Sequence, residues 1–247
     1  MKSPYLNKPL EEWKNITNCL IDNYPLKMEE ILDISLLSWS RLWSSVIGEQ
    51  IPLTEVNLPA TVVGYFFQKL FSFELSKRYP NDWRGEIYKE DKDLVNLNNA
   101  TFSTEMKSSG QLGLSLYGNR SYNQALENSY LGTKDKSGYY ITLNFYDKLI
   151  TSIRFGWIDQ DDWIPQSSQT GQAATLRPEV YQYKLIEIRG DYIKSRPIEL
   201  FNGVGPKLAS QLRDIGISTL DDLKRYQGND KKVLKIINSN IEIINSY

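Results

Sequence analysis

The chain has 247 residues, of which 40% are hydrophobic and 24% charged, with a formal net charge of −1. That length and balance suit one large globular domain, or a domain with a small appendage, and exclude a disordered chain. It contains no histidine and a single cysteine, Cys19, which excludes a histidine-based triad, an imidazole general base, a His-ligated zinc and an internal disulfide framework. Catalysis is left to carboxylates, lysines, tyrosines and hydroxyls, and any metal should be a hard cation with oxygen ligands. The absence of a long apolar run and of a signal-peptide core near the start predicts a cytoplasmic protein with no membrane partner.

Leu10, Trp13, Ile16, Leu20, Ile21 and Tyr24 recur at helical spacing and predict a helix over 10–24, stopped by Pro25. Met28, Ile31, Leu32, Trp39, Leu42, Trp43, Val46 and Ile47 predict a second over 28–47, with Gly48 ending it. Residues 49–59 read as a loop, and 60–79 as a third helix, apolar at Val62, Val63, Phe66, Phe67, Leu70, Phe71 and Leu75. Strand-like segments follow. Residues 91–97 and 101–108 flank a turn-prone Asn-Asn-Ala and form a hairpin candidate. Residues 138–146 and 149–158, rich in β-branched and aromatic side chains, form a second around Asp147 and Lys148 and predict the centre of a sheet. The polar, glycine-punctuated stretch between the hairpins holds a short helix candidate at Ser121–Tyr130, and 159–177 reads as a long polar loop.

In the strand FSTEMKSS, Ser103, Glu105 and Lys107 share one face, while Phe102, Thr104 and Met106 share the other. Asp93 lies on the preceding strand, and antiparallel pairing through a turn near residue 98 brings it to Glu105 at one sheet end. Asp93, Glu105 and the Met106 backbone carbonyl are the oxygen set of a hard-metal site, and Lys107 adjoins it to orient or deprotonate a water or to stabilise charge on a phosphate. These are the parts that phosphodiester hydrolysis needs. Cross-strand Glu/Lys pairs also occur on plain wet faces, so the spacing alone leaves a solvated surface open.

Asp93, Glu105 and Lys107 resemble the three positions of the PD-(D/E)XK nuclease pattern. Further segments, KDLV (92–95), EMKSS (105–109), YGNRSYNQ (117–124), KSGYYITLNFY (136–146), IRFGWIDQDDW (153–163) and TGQAATLRPEVYQYKL (170–185), together resemble the ScaI-type restriction endonucleases over about 48–188. The resemblance implies a mixed α/β restriction-endonuclease-like core, with a mixed central sheet flanked by helices. It also implies a Mg²⁺-dependent type II enzyme, with Mn²⁺ as a substitute, that cuts double-stranded DNA at a short palindrome. The family's namesake cuts AGTACT to blunt ends. A cognate DNA methyltransferase, not physically bound, is implied as well. One departure concerns the helix before the sheet, where the superfamily often carries an acidic residue four positions after a glycine. Here Gly64 is followed at that spacing by Gln68, with Glu74 or Glu55 as substitutes; for both of these a solvated carboxylate is the preferred reading.

Base reading requires polar side chains at groove edges. Asn119, Arg120 and Ser121 in one loop, and Gln169, Thr170 and Gln172 in another, are the candidates; ordinary turns are the plain alternative. Lys107, Arg84 and Lys136 are candidate phosphate contacts. A palindrome predicts a homodimer. Trp13, Trp39 and Trp43 offer a dimer face, although helical aromatics are more often core, the reading preferred here.

Near residue 190 the character changes, which divides the chain into a catalytic domain, 1–190 (its first 80 residues helical), and a small α-helical module with a tail, 191–247. LFNGVGPKLASQL…GISTLDDL resembles a helix–hairpin–helix motif, with Gly203 and Gly205 in the hairpin and Pro206 opening the next helix. Leu208, Leu212, Ile215, Ile217, Leu220 and Leu223 are its predicted core. The hairpin amides and Lys207 suit a DNA phosphate. The leading reading is a site-specific endonuclease; a structure-specific repair or junction nuclease and a non-catalytic DNA-binding protein are the alternatives.

Overall fold

The computed structural model describes residues 2–119, 136–165 and 173–245. Helices α1 (Leu10–Asp22), α2 (Met28–Ser44) and α3 (Ala60–Arg78) lie where apolar periodicity predicts them. Helix α2 stops three residues early. Val46 and Ile47 are drawn instead into a small hairpin, β1 (Val46–Ile47) with β2 (Ile51–Pro52), turning at Gly48 with φ +59°. Both side chains are exposed, so no core contact rewards extending the helix. The predicted loop after them therefore holds β2 and a 3₁₀ turn, Leu53–Glu55.

The main sheet comprises β3 (Trp83–Gly85), β4 (Leu94–Asn96), β5 (Thr104–Ser109), β7 (Gly138–Tyr146), β8 (Leu149–Ile158) and β11 (Leu185–Glu187), in the order β11-β8-β7-β5-β4-β3. It is mixed. Strands β5 and β7 run parallel, Glu105 opposite Tyr140 and Lys107 opposite Thr142, and the other pairs are antiparallel. A parallel neighbour needs a long crossover, which 110–137 supplies. Both predicted hairpins form, β4 with β5 and β7 with β8, the second turning at Asp147.

One sheet face carries Leu94, Met106, Tyr139, Ile141, Leu143, Phe145, Ile153, Phe155 and Trp157, packed on Ile31, Ile34 and Trp39 of α2 and on Val63, Phe67 and Phe71 of α3. The other carries Tyr140, Ile158 and Leu185. A second sheet covers part of it: β6 (Tyr117–Asn119), β10 (Ala173–Leu176) and β9 (Trp163–Pro165), in the order β6-β10-β9, with Leu116, Trp163, Ala174, Leu176 and Val180 in its core. Burial on both faces explains why β7 and β8 read as nearly unbroken apolar runs. Trp39 is buried, and Trp13 and Trp43 pack against the core, so these tryptophans serve the interior rather than an open face.

Residues 193–244 close around a separate core of Ile193, Ile198, Phe201, Val204, Ala209, Leu212, Ile217, Leu220, Leu223, Val233, Ile236 and Ile244. Its helices are α4 (Pro206–Asp214), α5 (Leu220–Arg225), α6 (Lys231–Ser239) and α7 (Ile241–Asn245). Gly203 turns the hairpin at φ +86° and Pro206 opens α4. Two expectations are corrected. Ile215 is 55% exposed, because the chain leaves α4 there, and Leu208 is only partly buried. The element before the hairpin is a 3₁₀ turn, Ile198–Leu200, rather than a full helix. Arg196 fastens this part to the sheet, donating to the Thr151 carbonyl (2.8 Å) and to Glu187 Oε1 (2.6 Å). No helix among the described residues is long and apolar enough to cross a membrane.

Candidate active site

Strand register assembles the charged corner. Leu94 pairs with Thr104, so Asp93 stands opposite Glu105, and directly opposed residues project to the same face. Glu105 and Lys107 alternate onto that face of β5. The opposite face of β5 is fixed by the core: Met106 is buried, and the buried Tyr24 hydroxyl bonds Thr104 Oγ1 at 2.6 Å.

Asp93 is held on both oxygens. Met106 N–H donates to Oδ2 at 2.6 Å, and the Gln68 amide donates to Oδ1 at 2.9 Å. Gln68 arrives there because α3 lies close against β5. A Cβ built on Gly64 would stand 2.0 Å from Ser108 Oγ, and Gln68, one turn later, shares the face of Gly64. The helix position where the resembled pattern often has an acid thus holds an amide that bonds Asp93.

Glu105 is buried, and two ammonium groups face its Oε1: Lys107 Nζ at 3.9 Å and Lys136 Nζ at 4.0 Å. Lys107 opens onto a cavity of about 360 Å³ between α3 and β6, lined also by Gln68, Met106, Ser108 and Tyr117. No cluster of three or more His, Cys, Asp or Glu side chains suited to a metal occurs among the described residues. The available donor set is two carboxylates and backbone oxygen. It contains no nitrogen or sulfur ligand and fits a hard cation, because carboxylates accept at several lone-pair positions and keep capacity beyond the bonds they already make.

Other candidates fall elsewhere. Glu74, offered as an accessory acid, is buried and ion-paired with Arg41 of α2. It follows Gln68 by six residues, a rotation of about 240° around the helix, and so faces α2 instead of Asp93. It is also not the solvated carboxylate preferred from sequence. Glu55 is exposed on its turn. Arg84 is committed to Asp91, at 2.6 and 3.2 Å, and this guanidinium holds the Asp91 carboxyl well below its ordinary range.

For base reading, Asn119 ends β6 and pairs with Ala173, the first residue of β10. Arg120, Ser121, Gln169, Thr170 and Gln172, like the helix candidate at Ser121–Tyr130, lie outside the described residues. Asn119 and Ala173, which flank these segments in sequence, pair at one end of the small sheet. Sequence reasoning missed that sheet, since β9 and β10 lie within the predicted loop. It also missed Lys184, buried between Asp159 and Asp162 at 2.8–2.9 Å.

Residues 3–189 match the family model described as "ScaI restriction endonuclease". The "Type II restriction enzyme ScaI" of Streptomyces caespitosus is 33% identical over 195 residues, covering 75% of this chain and 84% of that protein. A solved structure described as "Restriction endonuclease in complex with substrate DNA" aligns with a TM-score of 0.38 at 10% identity, covering 83% of this chain and 96% of that one.

Proposed function

The chain belongs to the ScaI restriction endonuclease family, and from that premise we propose that it is a type II enzyme hydrolysing double-stranded DNA at a short palindrome, AGTACT-like and cut to blunt ends. The observation that carries the reading is the convergence of Asp93, Glu105 and Lys107 at one sheet end, beside a cavity that runs toward β6.

Asp93, Glu105 and the Met106 carbonyl would hold Mg²⁺, or Mn²⁺ in its place. The bound ion supplies Lewis-acid polarisation of a phosphoryl oxygen and a water acidic enough to attack at neutral pH. The chain's own groups do the rest. Gln68 and Met106 N–H fix the Asp93 carboxylate, so its lone pairs are aimed before DNA arrives. Lys107 Nζ donates hydrogen bonds to the attacking water and to the phosphoryl oxygen as negative charge builds there. The new P–O bond forms in line with the breaking bond to the 3′ oxygen, leaving a 5′-phosphate and a 3′-hydroxyl.

Asn119, Arg120, Ser121, Gln169, Thr170 and Gln172 read base edges; the pairing of Asn119 with Ala173, which adjoin these residues in sequence, supports a shared role. Two copies of the chain form a homodimer over the palindrome. Residues 191–247 act as a separate module that grips DNA backbone through Gly203, Gly205 and Lys207. A groove of about 490 Å³ lined by Lys207, Lys232 and Lys235 supports this role. The protein works in the cytoplasm beside a methyltransferase that protects the host's own sites.

Incubating the purified chain with a sequenced DNA and Mg²⁺, then reading the ends, tests the proposal. Discrete fragments with one shared end sequence are expected from the wild type and none from Glu105→Ala. Branch-dependent nicking, or no cutting beyond that variant, overturns it.

A further inference from the structure

Lys136 is 31 residues from Glu105 in sequence, beyond the crossover, yet its Nζ stands as near Glu105 Oε1 as that of Lys107, 4.0 against 3.9 Å. Both side chains keep partial exposure, 20% for Lys136 and 23% for Lys107, while that of Glu105 is 5% exposed.

The backbone that carries Lys136 is closely held. The Tyr140 hydroxyl donates to the Lys136 carbonyl at 2.6 Å, Lys92 Nζ donates to the Ser137 carbonyl at 2.7 Å, and Gln160 N–H donates to Ser137 Oγ at 3.1 Å. Gly138 leaves the space that Lys92 occupies, since a Cβ there would lie 2.0 Å from its Nζ. Lys92 immediately precedes Asp93. The segment is thus tied directly to the strand that bears the first carboxylate. A surface lysine on an unconstrained loop has no use for such anchorage.

We propose that Lys136 is a second catalytic lysine, contacting the scissile phosphodiester from the side of Glu105 away from the Asp–Glu-x-Lys motif. The proposal rests on the nuclease reading above. In the protein alone, Lys107 and Lys136 both face the Glu105 carboxylate. Were Asp93 and Glu105 to hold a divalent cation, Lys107 and Lys136 would face the phosphodiester, which carries one negative charge. Attack adds another: the water oxygen bonds to phosphorus and its proton passes to solvent. The P–O3′ bond then breaks, its electron pair stays on O3′, and that oxygen takes a proton from solvent. The second lysine matches the second charge, so its interaction is stronger in the transition state than in the ground state and lowers the barrier.

The test uses the full chain with Lys136→Met and Lys136→Arg. Three quantities are measured: melting temperature; affinity, with Ca²⁺ in place of Mg²⁺, for a short duplex carrying the site mapped for wild type; and single-turnover cleavage of that duplex with Mg²⁺. For Lys136→Met the expectation is a cleavage rate about 10²–10³-fold lower, affinity changed by less than about tenfold, and an unchanged melting temperature. Lys136→Arg restores part of the rate, because it keeps the charge. A Lys136→Met rate within about threefold of wild type overturns the proposal. So does a rate loss accompanied by a matching fall in melting temperature, which would make Lys136 a structural prop of Glu105. If wild type itself fails to cut, the nuclease reading falls as well; if wild type cuts and Lys136→Met cuts equally, this inference alone falls.

Discussion

Among the described residues, two lysine–carboxylate clusters share the same chemistry but differ in distance and enclosure. In the first, Lys184 is 2% exposed and its ammonium sits 2.8–2.9 Å from Asp159 and Asp162, capped by the rings of Tyr5 and Trp13 at 4.3 and 4.5 Å. Asp159 also accepts from Ser3 and from the Trp157 indole. This cluster locks the amino-terminal segment to β8. In the second, Lys107 and Lys136 stand about 4 Å from Glu105 and remain reachable by solvent. Short, enclosed contacts hold a fold together; longer, partly exposed contacts suit the substrate-facing role proposed for these lysines. Cluster composition alone does not separate the two cases, but distance and enclosure do.

Exchanging substitutions between the clusters should give opposite readouts. Glu105→Ala is expected to lower cleavage roughly a thousandfold or more, the several kcal/mol that metal-centred charge stabilisation supplies, with the urea midpoint nearly unchanged. Lys184→Met leaves two buried aspartates without their cation and is expected to cost about 3–5 kcal/mol of stability, measured by urea unfolding. Cleavage at low temperature should survive in whatever fraction stays folded. A stable Lys184→Met protein would break the distinction between the clusters.

Gly156→Ala probes the locked cluster from the backbone. A Cβ there would lie 1.9 Å from the Lys184 carbonyl, a clash that no rotamer relieves, so β11 must move away from β8 and carry Lys184 with it. The expected loss is about 1–3 kcal/mol, again by urea unfolding. Gln68→Ala probes the open cluster more gently. Losing the amide that orients Asp93 should lower cleavage about 10–100-fold and weaken the apparent Mg²⁺ affinity, read as a higher metal concentration at half-maximal rate. An unchanged metal response would remove Gln68 from the site.

The Asp93, Glu105 and Lys107 part of the open cluster was legible because it obeys a local rule. Glu105 and Lys107 are two apart on a strand, and Asp93 returns beside them through one hairpin. Strands β7 and β8 were legible from their aromatic and β-branched runs. The locked cluster was not, because Lys184 lies in a π-helical turn, Val180–Lys184, whose geometry no period of 2 or 3.6 announces. Strands β3, β9 and β11 are each three residues long, too short to show alternation, and β9 and β10 hide within polar sequence. Lys136 reaches Glu105 through a parallel strand pairing, a long-range choice that local pattern does not encode. Helix α2 ends early for a similar reason: the hairpin around Gly48 wins over continued periodicity because Val46 and Ile47 find no core to bury in.

The smallest expected effect tests whether the rule of distance extends to a third pair. Arg84 and Asp91 meet at 2.6 Å, and Asp91 also accepts from the Ile87 and Tyr88 amides, so by that rule the pair is structural although it lies two residues from Asp93. Arg84 and these amides hold the Asp91 carboxyl below its ordinary value. The folded state therefore binds that proton less readily than the unfolded state. The stabilisation is complete above the unfolded value of about 3.9 and is lost as pH falls through the lowered folded value. With both groups partly exposed it amounts to about 1 kcal/mol or less. Asp91→Asn should lower the melting temperature by a few degrees near pH 7, and its gap from wild type should close as pH falls below about 4, while single-turnover cleavage at pH 7 stays within about threefold. A large loss of cleavage with little change in melting would instead make Asp91 a third carboxylate of the open cluster, and a short ion pair would no longer mark a group as structural.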